Sequence, residues 1–160
     1  MSTTTKKPKT RTALVLNITR TISAPRELVF ACWTQSKHLA RWGGAPAHMT
    51  ATAELKQIRT GGRYLVHLAH ENGDRFSAQG KYLEVVKPER LVFTHAWLGA
   101  DGTQGPEMLV TITFTEAGNK TRMSLRQEGF ASTASCNGHR EGWTSQIERF
   151  ATYTAATAKS

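Results

Sequence analysis

Hydrophobic and polar residues alternate along 13–22, ALVLNITRTI, where Leu14, Leu16, Ile18 and Ile22 share one side, and this period of two predicts a half-buried opening strand. The period then changes. Ser23-Ala24-Pro25-Arg26-Glu27 reads as a helix start, with Ser23 as the N-cap, Pro25 in the first turn and Glu27 where the helix dipole favours a carboxylate. Leu28, Val29, Cys32 and Trp33 form one buried helical face. A second short helix from Ser36 to Trp42 places Leu39 and Trp42 inward, and Gly43-Gly44-Ala45-Pro46 ends it.

From residue 50 to residue 127 the chain is a run of strands punctuated by turn chemistry, without βαβ alternation, which predicts an antiparallel meander. Thr50 to Ile58 is a strand, Gly61-Gly62 a turn, and Arg63 to His70 alternates with Tyr64, Val66 and Leu68 on one face. Glu71-Asn72-Gly73-Asp74 supplies a hairpin turn in which Asn-Gly takes positive φ values. Phe76 to Val86 returns, and after Lys87-Pro88-Glu89-Arg90 the strand Leu91 to Trp97 aligns Leu91, Phe93, His95 and Trp97. Beyond a flexible loop from Gly99 to Pro106, Met108 to Thr115 and Thr121 to Gln127 complete about seven strands, with Met108, Val110, Ile112, Phe114, Met123 and Leu125 inward. The last segment, Ser135 to Thr157, returns to a helical period, with Trp143, Ile147 and Phe150 on one stripe.

One strand, two short helices, about six more strands and one long helix is the order of an α+β protein whose strongly curved antiparallel sheet wraps around its carboxy-terminal helix. A single helix does not fill a wide concave sheet, so an apolar pocket is expected between them. The inward positions name its expected walls: Trp33, Trp42, Tyr64, Val66, Leu68, Phe93, His95, Trp97, Ile112, Phe114, Met123, Leu125, Trp143, Ile147 and Phe150. For each tryptophan the alternative is plain core filling, and Trp97 and Trp143 are the two best placed for ligand contact. Gly138 and Gly142 weaken the first turns of the last helix by up to ~1 kcal/mol each relative to alanine, which predicts a late or mobile start there.

Composition narrows the class. A chain of 160 residues predicts one domain, here spanning 13–158, and no run reaches the roughly 18 apolar residues of a membrane span. No secretory leader pattern precedes the first strand. Cys32 and Cys136 are far apart and read as free thiols in a reducing, cytoplasmic setting. The net charge of +9 owes much to Lys6, Lys7, Lys9 and Arg11 in a basic tail over 1–12 that contains no acid. The tail reads as a disordered, solvating segment or as a weak anchor for phosphates or anionic lipid. Elsewhere basic residues are scattered among the acidic ones, which argues against a nucleic-acid partner.

Six stretches in order, APRELVFACWTQSKHLARW, GGRYLVHL, GKYLEVVKPERLVFTHAW, VTITF, TRMSLRQEGF and GHREGWTSQIERFATY, resemble the family of homologues of the activator of the heat-shock protein 90 ATPase. That family lies within the START-like, birch-pollen-allergen-like superfamily. The resemblance spans about residues 16 to 154 and implies a helix-grip fold with a cavity that takes lipophilic or aromatic small ligands. The family usually carries a second Trp and a Pro directly after the first Trp, whereas here Trp42 precedes Gly43-Gly44-Ala45-Pro46. Eukaryotic co-chaperones of the family engage the chaperone through an additional amino-terminal domain for which 160 residues leave no room, so co-chaperone activity is not expected.

Chemistry is sparse. His38, His48, His67, His70, His95 and His139 form no metal-ligand spacing, and His67 and His70 fall on opposite faces of a strand. His95, in line with Phe93 and Trp97, is a satisfied core histidine, a polar contact on the cavity wall or a general base. Glu84 faces solvent or, if Leu83 and Val85 turn outward, enters the cavity with a partner such as Arg63. Glu71 and Asp74 lie in a solvated turn, Gly61-Gly62 precedes a strand and is no phosphate loop, and no serine stands in a GxSxG setting. The reading favoured by these observations is a non-enzymatic binding or carrier protein, monomer or homodimer, for a small apolar or aromatic ligand, with neither metal nor cofactor. A cyclase- or hydrolase-like enzyme using His95 and Glu84, and a chaperone-associated interaction protein, are the alternatives.

Overall fold

The computed structural model of the protein describes residues 14–42 and 48–160, so the basic tail over 1–12 and the Gly43–Pro46 stop signal lie outside the described residues. Strand β1 (Val15–Ile22) leads into helices α1 (Arg26–Thr34) and α2 (Ser36–Trp42). Strands β2 (Met49–Lys56), β3 (Arg63–His70), β4 (Arg75–Val86), β5 (Arg90–Leu98), β6 (Met108–Ala117) and β7 (Lys120–Glu128) follow, and α3 (Thr133–Lys159) closes the chain. The strands form one antiparallel sheet in the order β1-β7-β6-β5-β4-β3-β2. Every connection from β2 to β7 is a hairpin. The segment bearing α1 and α2 instead joins the two edge strands, so these helices cross the sheet, and they cover its concave face beside α3. Register breaks in β2 between Ala53 and Leu55, and in β4 between Tyr82 and Glu84, are bulges, which bend a sheet and strengthen its twist.

Strand limits lie within about two residues of those the alternation predicts, because half-buried strands expose their period directly. The first helix start differs. Ser23 does not cap α1; Pro25 does so without a side-chain bond, its extended backbone (φ −70°, ψ 153°) presenting a carbonyl to the N–H groups of Leu28 and Val29 at 3.0 Å each. Proline disfavours helical backbone in the residue before it, and the helix begins only beyond it. The last helix also departs from expectation by starting early, at Thr133, where the Ser132 hydroxyl accepts a 3.1 Å bond from the Ser135 N–H. That cap offsets the weakness of Gly138 and Gly142. Among the described residues no helix is long and apolar enough to cross a membrane.

The carboxy-terminal half of α3 lies over the β1 side of the sheet and against α1 and α2. Ile147, Phe150 and Ala151 are buried there with Ile112, Phe114, Met123 and Leu125, a solid core into which α1 adds Val29, Phe30 and Cys32. Phe150 is its keystone: its ring meets Trp33 at 4.8 Å and Trp42 at 5.0 Å, both edge-on, and it has no exposed surface. The Trp42 indole donates to the Cys32 carbonyl at 2.9 Å and Arg149 donates to the Trp42 carbonyl at 3.1 Å, which fixes the end of α2 on α3. Phe150→Ala should cost about 3–5 kcal/mol and lower the thermal midpoint by roughly 10 °C or more, read by circular dichroism melting; a drop under about 3 °C would show that this core is not what unites helices and sheet.

Candidate functional site

Because α3 covers the β1 side, the half of the concave face formed by β2 to β5 is left with a cavity of about 610 Å³. Its floor is the inward row of each strand: Ala51 and Ala53 on β2, Tyr64, Val66 and Leu68 on β3, Phe76 and Tyr82 on β4, and Phe93, His95 and Trp97 on β5. The roof is Trp33 of α1, Leu39 and Trp42 of α2, and Gly138, His139, Gly142 and Trp143 of α3. Small residues make the space. Gly138 and Gly142 are one helical turn apart on the same face, and a Cβ built at Gly138 meets no atom within 4 Å. Gly80 acts in the opposite way: a Cβ there would overlap the Tyr64 ring and the Thr94 carbonyl oxygen, so its absence lets the phenol lie across β4.

The polar groups of the wall are held in place by one another. The Tyr64 hydroxyl lies 2.5 Å from Nδ1 of His95 and donates to the Thr94 carbonyl at 3.0 Å. The Trp97 indole donates to Nε2 of His139 at 3.0 Å, so that nitrogen is bare and the proton sits on Nδ1, which donates to the Ser135 carbonyl at 2.8 Å. The Trp143 indole donates to Oε1 of the buried Gln127 at 2.7 Å. Desolvation, with His139 as a second cause, lowers the His95 pKa to about 4, so the ring is neutral at neutral pH even though part of its surface faces the open cavity. Desolvation also raises the pKa of Tyr64, which Tyr82 reinforces, and that of Tyr82. Both phenols are hydrogen-bonding groups and not anions.

Two bulges decide which side chains face the hollow. In β4 the bulge reverses the alternation after Tyr82, so that Val85 packs on the core while Leu83 and Glu84 turn out. Glu84 is therefore not a cavity residue; it is exposed and pairs with Arg90 at 3.3 Å, not with Arg63. In β2 the bulge places Lys56 directly opposite Tyr64, on the cavity face, and turns Leu55 outward with 39% of its surface exposed. Leaving a leucine in water forgoes up to about 1.5–3 kcal/mol of burial. Lys56 is exposed and lines the cavity, and the protein around its amine lowers its pKa by desolvation.

Of the wall residues expected from sequence, Trp33, Trp42, Tyr64, Val66, Leu68, Phe93, His95, Trp97 and Trp143 stand on the cavity. Ile112, Phe114, Met123, Leu125, Ile147 and Phe150 do not: they belong to the solid core, since β6, β7 and the later turns of α3 are pressed together. Lys56, Tyr82, Phe76 and His139 are wall residues that are absent from the walls expected from sequence. Tyr82 was legible as an even-numbered neighbour of Phe76 and Gly80 on β4; Lys56 was not, because a bulge leaves no mark in the alternation. Cys32 and Cys136 are buried and unpaired, and burial raises the Cys32 thiol pKa. Among the described residues no group of three or more His, Cys, Asp or Glu side chains is placed to hold a metal ion.

A seven-stranded antiparallel sheet gripping one long helix, with the hollow under the uncovered half, defines the helix-grip class. The chain belongs to the Activator of Hsp90 ATPase homolog 1-like protein family, which it matches over residues 23–155. Among solved structures it is similar to a protein from Chromobacterium violaceum at 24% identity, with 89% of this chain and 98% of that one covered and a TM-score of 0.80. The AHSA1 protein from Silicibacter pomeroyi gives 23% identity, coverage of 89% and 99%, and a TM-score of 0.80. A protein from Arthrobacter aurescens solved by NMR gives 22%, 91% and 88%, and 0.79. At these identities the likeness establishes the fold. No curated protein matches the chain.

The neutral state of His95 has a consequence for stability. With a folded pKa of about 4 against 6.5 for the free side chain, the unfolded chain takes up this proton first as pH falls. The contribution is therefore complete above about pH 6.5 and lost progressively toward pH 4. Denaturant unfolding at pH 7.5, 6, 5 and 4 should show His95→Phe losing less stability over this range than the parent protein; parallel pH curves would mean that the ring is protonated without cost.

Proposed function

We propose that the protein binds or carries a small apolar or aromatic molecule in this cavity. The observation that carries the reading is a hollow of about 610 Å³ with a mainly aromatic and aliphatic wall and a few polar groups, inside the roughly 300–1,000 Å³ range of small-molecule sites. The tryptophans of the roof face the tyrosines and phenylalanines of the floor, an arrangement suited to a flat ring system or a folded hydrocarbon chain. Directional polar contacts come from the Tyr64–His95 pair and from Tyr82, which also lines the wall. Two buried thiols support a reducing, cytoplasmic setting.

The acid–base alternative has less support. It needs Glu84 and His95 at one substrate, and the first is in solvent beside Arg90 while the second is on the cavity wall. The chaperone reading draws only on the family description.

The test is occupancy of the hollow. The neutral fluorophore 9-anthracenemethanol should bind the full chain and quench tryptophan emission, and Ala51→Trp, which fills the space from an edge strand, should weaken that binding about tenfold or more while moving the thermal midpoint by less than about 3 °C. Equal binding to both proteins would place the fluorophore elsewhere and remove the support for a cavity ligand. Native mass spectrometry of freshly purified protein should in addition retain a small molecule that Ala51→Trp excludes.

A further inference from the structure

Among the described residues Lys56 is the one formally charged side chain on the cavity wall, and no carboxylate of a described residue stands there with it. It forms no ion pair among the described residues, and the sequence outside them, MSTTTKKPKTRTA and GGAPA, contains no acid that could supply one. The two histidines of the wall offer no negative charge either.

The position is a product of backbone design. A regular β2 would continue the inward row Met49, Ala51, Ala53 with Leu55 and send Lys56 to solvent, which suits both side chains by hydrophobicity. The bulge at Glu54 does the reverse. Bulges re-aim side chains at functional sites, and a pattern broken in the unfavourable direction marks a place where folding and function disagree. The lysine so turned stands opposite Tyr64, one strand from Tyr82, at the tyrosine end of the hollow; Trp33, Trp42 and Trp143 line the roof. Lys56 keeps exposed surface, and its amine has no carboxylate beside it on the wall to pair with. The protein around the amine lowers its pKa by desolvation.

Resting on the cavity reading above, we propose that the guest is an apolar acid, its ring or hydrocarbon body against the tryptophan roof and its single carboxylate paired with Nζ of Lys56. The carboxylate accepts charge-assisted hydrogen bonds from Nζ and from the Tyr82 hydroxyl, which restores neutrality inside the hollow and favours the protonated amine. Neutral analogues of the same shape fill the same space without that pairing, so Lys56 sets specificity and the aromatic wall sets capacity.

Two fluorophores of nearly equal size separate these roles: 9-anthracenecarboxylate, an anion at pH 7.5, and neutral 9-anthracenemethanol, each titrated into the full chain. The parent protein should bind the carboxylate about tenfold or more tighter. Lys56→Met, which keeps the aliphatic stem, should remove that preference and leave the alcohol unchanged, and Lys56→Arg should keep most of it. Lys120→Met, at the start of β7 and outside the cavity wall, should change neither. If the parent binds both probes equally, or if Lys56→Met keeps the preference, the acid is not read by Lys56 and the inference is overturned while the cavity reading stands. If the parent binds neither probe, the cavity reading itself fails and this inference falls with it.

Discussion

A helix with its side chains is roughly 10–12 Å across, whereas seven strands spaced by about 4.8 Å make a sheet more than twice as wide, and the fold is organised around that mismatch. The later turns of α3 commit to one side, where Phe150 wedges between Trp33 and Trp42 and the hydrophobic interior is continuous. The sheet's other half cannot be covered by the same helix. Crossing helices α1 and α2 roof part of it, and what is left over is the cavity. The hollow is thus a geometric remainder, stable because the opposite half is packed well enough to hold the whole together.

Within that remainder, backbone irregularities choose the chemistry. Each bulge shifts the face of every residue after it, and one extra residue in β2 brings a lysine to the wall while one in β4 removes a glutamate from it. The two shifts act together: they exchange a lone negative charge, Glu84, for a lone positive one, Lys56. Gly80 adds a third adjustment by letting the Tyr64 ring lie flat over β4 and reach His95. The polar end of the cavity therefore depends on main-chain geometry more than on the number of polar residues in the sequence.

This also explains what the sequence disclosed. Alternation on β3 and β5 identified Tyr64, Val66, Leu68, Phe93, His95 and Trp97 as one wall, since those strands are regular at these positions. Periodicity alone does not tell a cavity wall from a core, and so Ile112, Phe114, Met123 and Leu125 shared the same pattern while lying under the helix. The face of Glu84 stays open in the sequence, and Lys56 goes unnoticed there, for one reason: an inserted residue changes parity without changing composition. The start of α3 was misjudged because helix propensity was weighed without the Ser132 cap.

Glycine in the first turns of α3 has a meaning beyond its low helix propensity. Since a methyl group at Gly138 would enter empty space, replacing that hydrogen would stiffen the helix and shrink the hollow in a single step. Thermal robustness and room for a guest are thus coupled at this position with opposite signs. A side chain there would trade one for the other, so the size of the hollow is adjustable along one face of one helix while the sheet stays as it is.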